Sequence, residues 1–169
     1  MNDSGPATGS DRRLYGRRKG HDLSARRQVL VDSVLPGLRP RIDAQGGVDL
    51  KGPQAGRDRL WLEIGFGAGE HLAWQAARHR DVTILGAEPF LNGVASLLAH
   101  LDDTKLDNVR IIDNDVRPYL EALPAASLER IMVLFPDPWP KARHHKRRIV
   151  NPWSADRFCD LLIDGGELR

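Results

Sequence analysis

Cysteine is all but missing from this chain. Cys159 is the only one in 169 residues, so no internal disulfide and no cysteine-cluster zinc site can form, and the expected state is a buried, inert thiol. Long apolar runs are absent too. None approaches the roughly 18 residues of a membrane span, and the polar N-terminal stretch has no apolar segment of the signal-peptide kind. Both absences point to the cytoplasm and away from a membrane. There is no G-x-x-x-x-G-K-[ST] for a nucleoside triphosphate, and no internal repeat is evident. Acids are missing from one place in particular: none stands between Lys141 and Arg148.

What is present suits one soluble globular domain with a real core, since 41% of residues are hydrophobic and 28% charged. The net charge is only +2, but Lys and Arg are clustered. Arg12, Arg13, Arg17, Arg18, Lys19, Arg26 and Arg27 are opposed by Asp22 alone, and Lys141, Arg143, Lys146, Arg147 and Arg148 by nothing. Twelve of the 25 basic residues therefore lie in two short segments. Such clusters are the footprint of a polyanionic partner, with a solvated charged face as the plain alternative.

Strands and helices alternate along the chain. Residues 1–22 read as a flexible basic arm and residues 23–58 as a helix followed by a linker. Ser24 can cap that helix, Leu23, Val31, Val34, Leu35 and Leu38 fall near helical spacing, and Pro36 marks its decay. From 59 to 169 four short apolar runs begin at Leu60, Val82, Val109 and Arg130, separated by segments of helical length. A further helix over about 154–163 leads to Gly165, Gly166 and the start of another strand. This predicts an α/β fold with a mostly parallel sheet flanked by helices, and ligands of such sheets bind beyond the carboxyl ends of the strands.

The first long strand ends LEIGFGAGE, where Gly65, Gly67 and Gly69 allow a tight turn before a helix near Glu70. Glu88, 19 residues after Gly69 and at the end of the second strand, can accept both hydroxyls of a ribose. The turn is not a dinucleotide fingerprint: the third glycine arrives one position early, and Glu70 in the first helical turn repels a pyrophosphate. That disfavours a hydride-transferring dehydrogenase. Every strand end carries an acid, namely Glu63, Glu88, Asp113 or Asp115, and Asp137, although Asp113 alone reads as a helix cap or loop solvator. A crevice lined this way suits a cationic ligand with a ribose and no phosphates, a description that S-adenosyl-L-methionine fits.

LEIGFGAGE, GAEPFLNGV, the DV of DNDV and above all FPDPWPKARHHKRR resemble the bacterial tRNA (guanine-N7)-methyltransferases, from about Tyr15 to the last residue. The resemblance implies a Rossmann-like class I methyltransferase fold that uses S-adenosyl-L-methionine to modify the variable-loop guanosine at tRNA position 46. Carried over by position, it implies that Glu63, Glu88 and Asp115, with the turn glycines Gly65, Gly67 and Gly69, contact the cofactor. It makes Asp137 the catalytic acid beside that cofactor and Lys141 an RNA contact. YGRRKGH, with Arg17 and Arg18, is similar to the family's basic N-terminal segment that holds tRNA. The family pattern also continues beyond Arg169 with further strands and a Thr-Asp substrate motif, so an incomplete C-terminal part is expected. Monomer and homodimer both stay open.

Elementary chemistry explains the acid inside FPDPWPK. Guanine N7 has an in-plane lone pair, so its methylation needs alignment rather than a strong base. As positive charge develops on the purine, a fixed carboxylate can accept hydrogen bonds from the N1–H and N2–H edge and stabilise it. Pro136 and Pro138 restrict the backbone on either side of Asp137. Trp139 can stack an extruded base, or pack below the loop. Lys141, Arg143, His144, Arg147 and Arg148 then meet the phosphates that carry the base. His144 and His145 lack partner acids at ligand spacing, and no metal is expected. Two other functions remain in view: a nucleic-acid amino-methyltransferase, although DPW lacks that group's second proline, and a non-catalytic RNA-binding subunit on a methyltransferase fold.

Overall fold

The computed structural model describes residues 18–50 and 57–169. The expected arm up to Asp11, with Arg12, Arg13, Tyr15 and Arg17, lies outside the described residues, as do residues 51–56 of the expected linker.

Ser24 does open the first helix, α1 (Ala25–Ser33), its hydroxyl accepting from Arg27 N. Pro36 does not mark a decay. It sits in the first turn of a second short helix, α2 (Leu35–Leu38), where its missing N–H costs nothing. Leu30 and Leu35 enter the core, whereas Val34 is exposed. The expected linker contains a small antiparallel hairpin, β1 (Arg41–Ile42) with β2 (Val48–Asp49). The Asp43 carboxylate closes it by accepting from Gln45 N and Gly47 N, both at 2.9 Å.

The expected alternation then appears in order: β3 (Arg59–Ile64), α3 (Glu70–Arg78), β4 (Val82–Ala87), α4 (Leu91–Thr104), β5 (Val109–Ile112), α5 (Arg117–Ala122) and β6 (Leu128–Val133). After a basic 3-10 segment (Ala142–Arg147) come α6 (Pro152–Leu161) and β7 (Leu162–Leu168). Strand β7 thus starts before its glycines. A register irregularity between its Leu162 and Glu167 pairings, with Gly165 at φ 76°, absorbs them.

Strands β3 to β7 form one parallel sheet in the order β5-β4-β3-β6-β7. Both faces are covered, which is why its strands read as mostly apolar runs rather than alternating ones. Trp61, Ile84, Ile111 and Met132 face one way and pack with Leu72 of α3, Leu97 of α4 and the buried leucines of α1 and α2. Leu62, Leu85, Ile112 and Ile131 face the other way, onto Leu120 of α5 and Phe158 and Leu161 of α6. Sequential strands run outward from β3 in one direction and then, from β6, in the other. The switch leaves a crevice between the carboxyl ends of β3 and β6.

Cys159 is exposed, contrary to expectation. Ser154, Phe158 and Leu161 form the buried stripe of α6, and one residue beyond Phe158 the helix has turned by about 100° toward solvent.

Candidate active site

The turn after β3 is left-handed at all three glycines, with φ of 78°, 59° and 87° at Gly65, Gly67 and Gly69, a conformation costly for residues with a Cβ. Its position is set from two sides. Gly65 N donates to Ala87 O at 2.8 Å, and the first turn of α4 approaches so closely that a Cβ on Gly93 would lie 2.2 Å from Gly67 O. At Gly65, by contrast, an added Cβ meets no atom within 4 Å. It would stand in the crevice itself.

Glu88 leaves the end of β4 and points back to this turn. Its Oε2 accepts from Gly67 N at 3.0 Å and its Oε1 from Phe90 N at 2.9 Å. Each oxygen keeps a lone pair for a ligand hydroxyl. Burial raises the Glu88 pKa above its ordinary value, the two backbone donors oppose the rise, and the charge of Asp137 adds to it. The two acids come from strands separated by β3 and line the same crevice.

A cavity of about 270 Å³ lies there, lined by Gly65, Glu88, Asp115, Phe135, Asp137 and Trp139 among others. Asp115 is held by Arg117, whose Nη2 lies 2.6 Å from Oδ2 and whose backbone N donates to Oδ1 at 3.0 Å. Asp137 sits exposed on the loop after β6. Glu63 is only 2% exposed and is not among the lining residues. Its Oε2 lies 2.8 Å from Nδ1 of His71 on α3. Burial raises its pKa and the His71 contact opposes that. Asp113, the acid that read as a solvator, is paired with Arg39 through two contacts of 2.9 and 2.6 Å, outside the cavity lining.

The basic run divides into two groups. Lys141 and Arg143 are exposed. Arg148 turns inward and donates to Pro138 O at 2.9 Å and Trp139 O at 3.1 Å. The Arg147 guanidinium lies over the Trp139 ring, 4.9 Å from its centroid, and His144 meets the same ring edge-on at 5.7 Å. Trp139 is thus half-buried against residues of its own loop while it also lines the cavity. Arg147 and Arg148, expected at phosphates, line the cavity and brace the loop that carries Asp137.

The described part of the N-terminal basic segment is docked beside Glu88. Leu91 N donates to Arg18 O at 2.9 Å, Gly20 N to Asn92 Oδ1 at 2.7 Å, and Asn92 Nδ2 to His21 O at 2.8 Å. Asn92 and Phe135 stand inside the motifs GAEPFLNGV and FPDPWPKARHHKRR and Arg117 just after DNDV, but their residue types alone pointed to no role in the site. Among the described residues no group of three or more His, Cys, Asp or Glu could hold a metal ion, and no helix is long and apolar enough to cross a membrane.

A family model described as "Putative methyltransferase" matches residues 57–169. A tRNA (guanine-N(7)-)-methyltransferase of Rhodospirillum rubrum is 50% identical over 163 residues, covering 94% of this chain and 64% of its own. One of the same name from Caulobacter vibrioides is 43% identical over 157 residues, covering 93% of this chain and 68% of its own. The chain therefore spans about two thirds of the length of these relatives. Among solved structures, a 16S rRNA (adenine(1408)-N(1))-methyltransferase with cosubstrate SAM from Catenulisporales acidiphilia aligns with a TM-score of 0.50 at 17% identity, over 78% of this chain and 66% of that one. That likeness concerns the fold.

Proposed function

The chain belongs to the tRNA (guanine-N(7)-)-methyltransferase family, and from that premise we propose that it transfers a methyl group from S-adenosyl-L-methionine to N7 of a guanine in tRNA. The observation that carries the reading is the meeting of Glu88, Asp115 and Asp137 around one cavity at the switch point of the sheet. An acid-lined crevice with open space in front of Gly65 fits a cationic nucleoside. It has no arrangement for binding a pyrophosphate: Glu70 occupies the first turn of α3, where a phosphate would need unopposed N–H groups.

When bound, S-adenosyl-L-methionine supplies an electrophilic methyl carbon on a sulfonium. Glu88 holds the ribose through the lone pairs its backbone bonds leave free, and Asp115 offers a second acceptor whose direction Arg117 sets. Asp137 accepts hydrogen bonds from the N1–H and N2–H edge of the guanine and stabilises the positive charge that grows as N7 is alkylated. It removes no proton from N7, which has none. Arg148 fixes the carbonyls of Pro138 and Trp139, so the carboxylate is aimed before the base arrives, and rate enhancement by alignment depends on such placement. Lys141, Arg143 and the Arg18 segment contact RNA phosphates on the rim.

The test is incubation of the protein with labelled S-adenosyl-L-methionine and unmodified tRNA, followed by nucleoside mass spectrometry. The expected product is 7-methylguanosine. Label appearing on an exocyclic amine instead overturns the choice of acceptor. Retained tRNA binding with no label in any nucleoside leaves an RNA-binding role in place of an enzymatic one.

A further inference from the structure

Phe135 stands at the mouth of the cavity in a conformation that folding alone does not favour. Its side chain is 99% exposed, whereas Phe66 and Phe158 are 6% and 1% exposed. Its backbone lies in the left-handed region, at φ 52°, which is strained for a residue with a Cβ, and such strain clusters at ligand clamps and active sites. Leu134 before it packs against the core and Asp137 lies two residues after it, so the reversal at Phe135 is what turns the chain out of the sheet and lifts the phenyl ring to the rim. Trp139, the other aromatic of this loop, has Arg147 over its ring and His144 at its edge. It is half-buried by these neighbours, whereas Phe135 is almost wholly exposed, with both faces of its ring open.

We propose that Phe135 is a positioning residue for the target base: its ring stacks on the purine that RNA extrudes into the cavity, while Asp137 holds that purine's edge. The inference rests on the guanine-N7 reading above and names how the site recognises its substrate. A stacked aromatic accepts any base by its π-face, and Asp137 selects among them by its hydrogen-bonding edge. Stacking also acts differentially along the reaction. The purine turns cationic as N7 is methylated, and a cation over a phenyl face is attracted by the ring quadrupole. The same contact therefore binds the methylated base more tightly than the unmethylated one.

The test compares wild type, Phe135→Leu and Phe135→Tyr in the full 169-residue chain. Loss of one base stack predicts a fall in kcat/KM of about tenfold or more for Phe135→Leu, with the tyrosine variant within about threefold of wild type. S-adenosylhomocysteine affinity and the thermal midpoint should stay unchanged for both, because the side chain touches neither the cofactor turn nor the core. Competition with 7-methylguanosine monophosphate and guanosine monophosphate gives a second readout: wild type should prefer the methylated nucleotide, and Phe135→Leu should lose that preference. Equal kcat/KM and equal nucleotide preference in wild type and Phe135→Leu overturn the proposal, as does a lowered melting point with unaltered kinetics. A wild type that methylates no tRNA overturns the functional reading itself, and the Phe135 role falls with it.

Discussion

Asp137 has one job in the proposed chemistry, and its substitution isolates that job. Asp137→Asn keeps the shape between Pro136 and Pro138 but replaces the charge that faces the methylated purine. Methyl transfer should fall roughly 10²-fold or more, the usual loss for one transition-state stabiliser, while S-adenosyl-L-methionine affinity changes far less. Single-turnover kinetics beside calorimetry separate the two effects, and near wild-type turnover would remove Asp137 from the mechanism. Glu88 makes a different prediction, about pH. It must be ionised to accept ribose hydroxyls, and burial raises its pKa. Cofactor affinity should therefore weaken on acidification at a higher pH than an ordinary exposed glutamate would dictate. Stability runs the other way. A carboxyl whose folded pKa is raised contributes stability that is present below its unfolded value and lost as pH rises through the folded one. Glu88→Gln should abolish the pH step in affinity and weaken binding at neutral pH by about 1.5 to 3 kcal/mol. It should not raise neutral-pH stability, because the amide offers one acceptor oxygen where Gly67 N and Phe90 N each use one. Titration calorimetry across pH checks both, and a wild-type affinity that holds constant through that range refutes the role.

At the scale of elements, the cofactor turn and α4 are fitted to each other through Gly93. Replacing a glycine by alanine inside an exposed helix ordinarily adds up to about 1 kcal/mol of stability. Here the new Cβ would meet the backbone oxygen of Gly67 at 2.2 Å, and backbone cannot swing aside as a side chain can. Gly93→Ala should therefore destabilise by about 1 to 3 kcal/mol, the range for overpacking, and should weaken cofactor binding because the Gly67 N–H that orients Glu88 moves with the turn. Urea denaturation and calorimetry on one preparation test this, and a more stable variant would mean that the turn yields freely. Strand β6 and the loop after it form the second such unit. The Asn151 cap of α6, a reciprocal capping box with Ser154, anchors the far end of the basic run, and Arg148 anchors its middle.

For the whole molecule the proposed tRNA partner raises the question of how a chain of net charge +2 would meet a polyanion. Distribution answers it. Lys141 and Arg143 are exposed on the rim beside Asp137, and Arg18 and Lys19 are exposed next to Glu88 on the other side. Neutralising Lys141 and Arg143 together should weaken tRNA binding for all sequences alike and flatten its dependence on salt, since phosphate contacts release counterions without reading bases. Arg148→Ala should instead lower turnover more than it changes the salt slope, because its donors are spent on loop carbonyls. Binding isotherms over a salt series, with rates at saturating tRNA, separate the two classes. Equal slopes for wild type and the Lys141/Arg143 variant would show that those charges do not meet phosphates.

The sequence by itself determined where the strands run, where the chain turns and where the acids stand. Mostly apolar runs at Leu60, Val82, Val109 and Arg130 are what a doubly covered parallel sheet requires, and three glycines in five positions leave few conformations other than a tight turn. These are local properties, readable from side-chain type and spacing. What the acids do depends on strand order and on which partner reaches each one, and only the tertiary structure decided that. Glu88, Asp115 and Asp137 share a cavity because β3 lies between β4 and β6, whereas Glu63 is met by His71 from α3 and Asp113 by Arg39 from an element 74 residues away in sequence. The basic run shows the same division. Its charge was legible, but not that Arg147 and Arg148 would turn inward, since that depends on the ring and carbonyls of a loop whose path is set by the end of β6. Leu30 in the core, Cys159 at the surface and Phe135 on the rim follow likewise from helix phase and chain direction. Those are fixed when elements pack, and no single residue carries them.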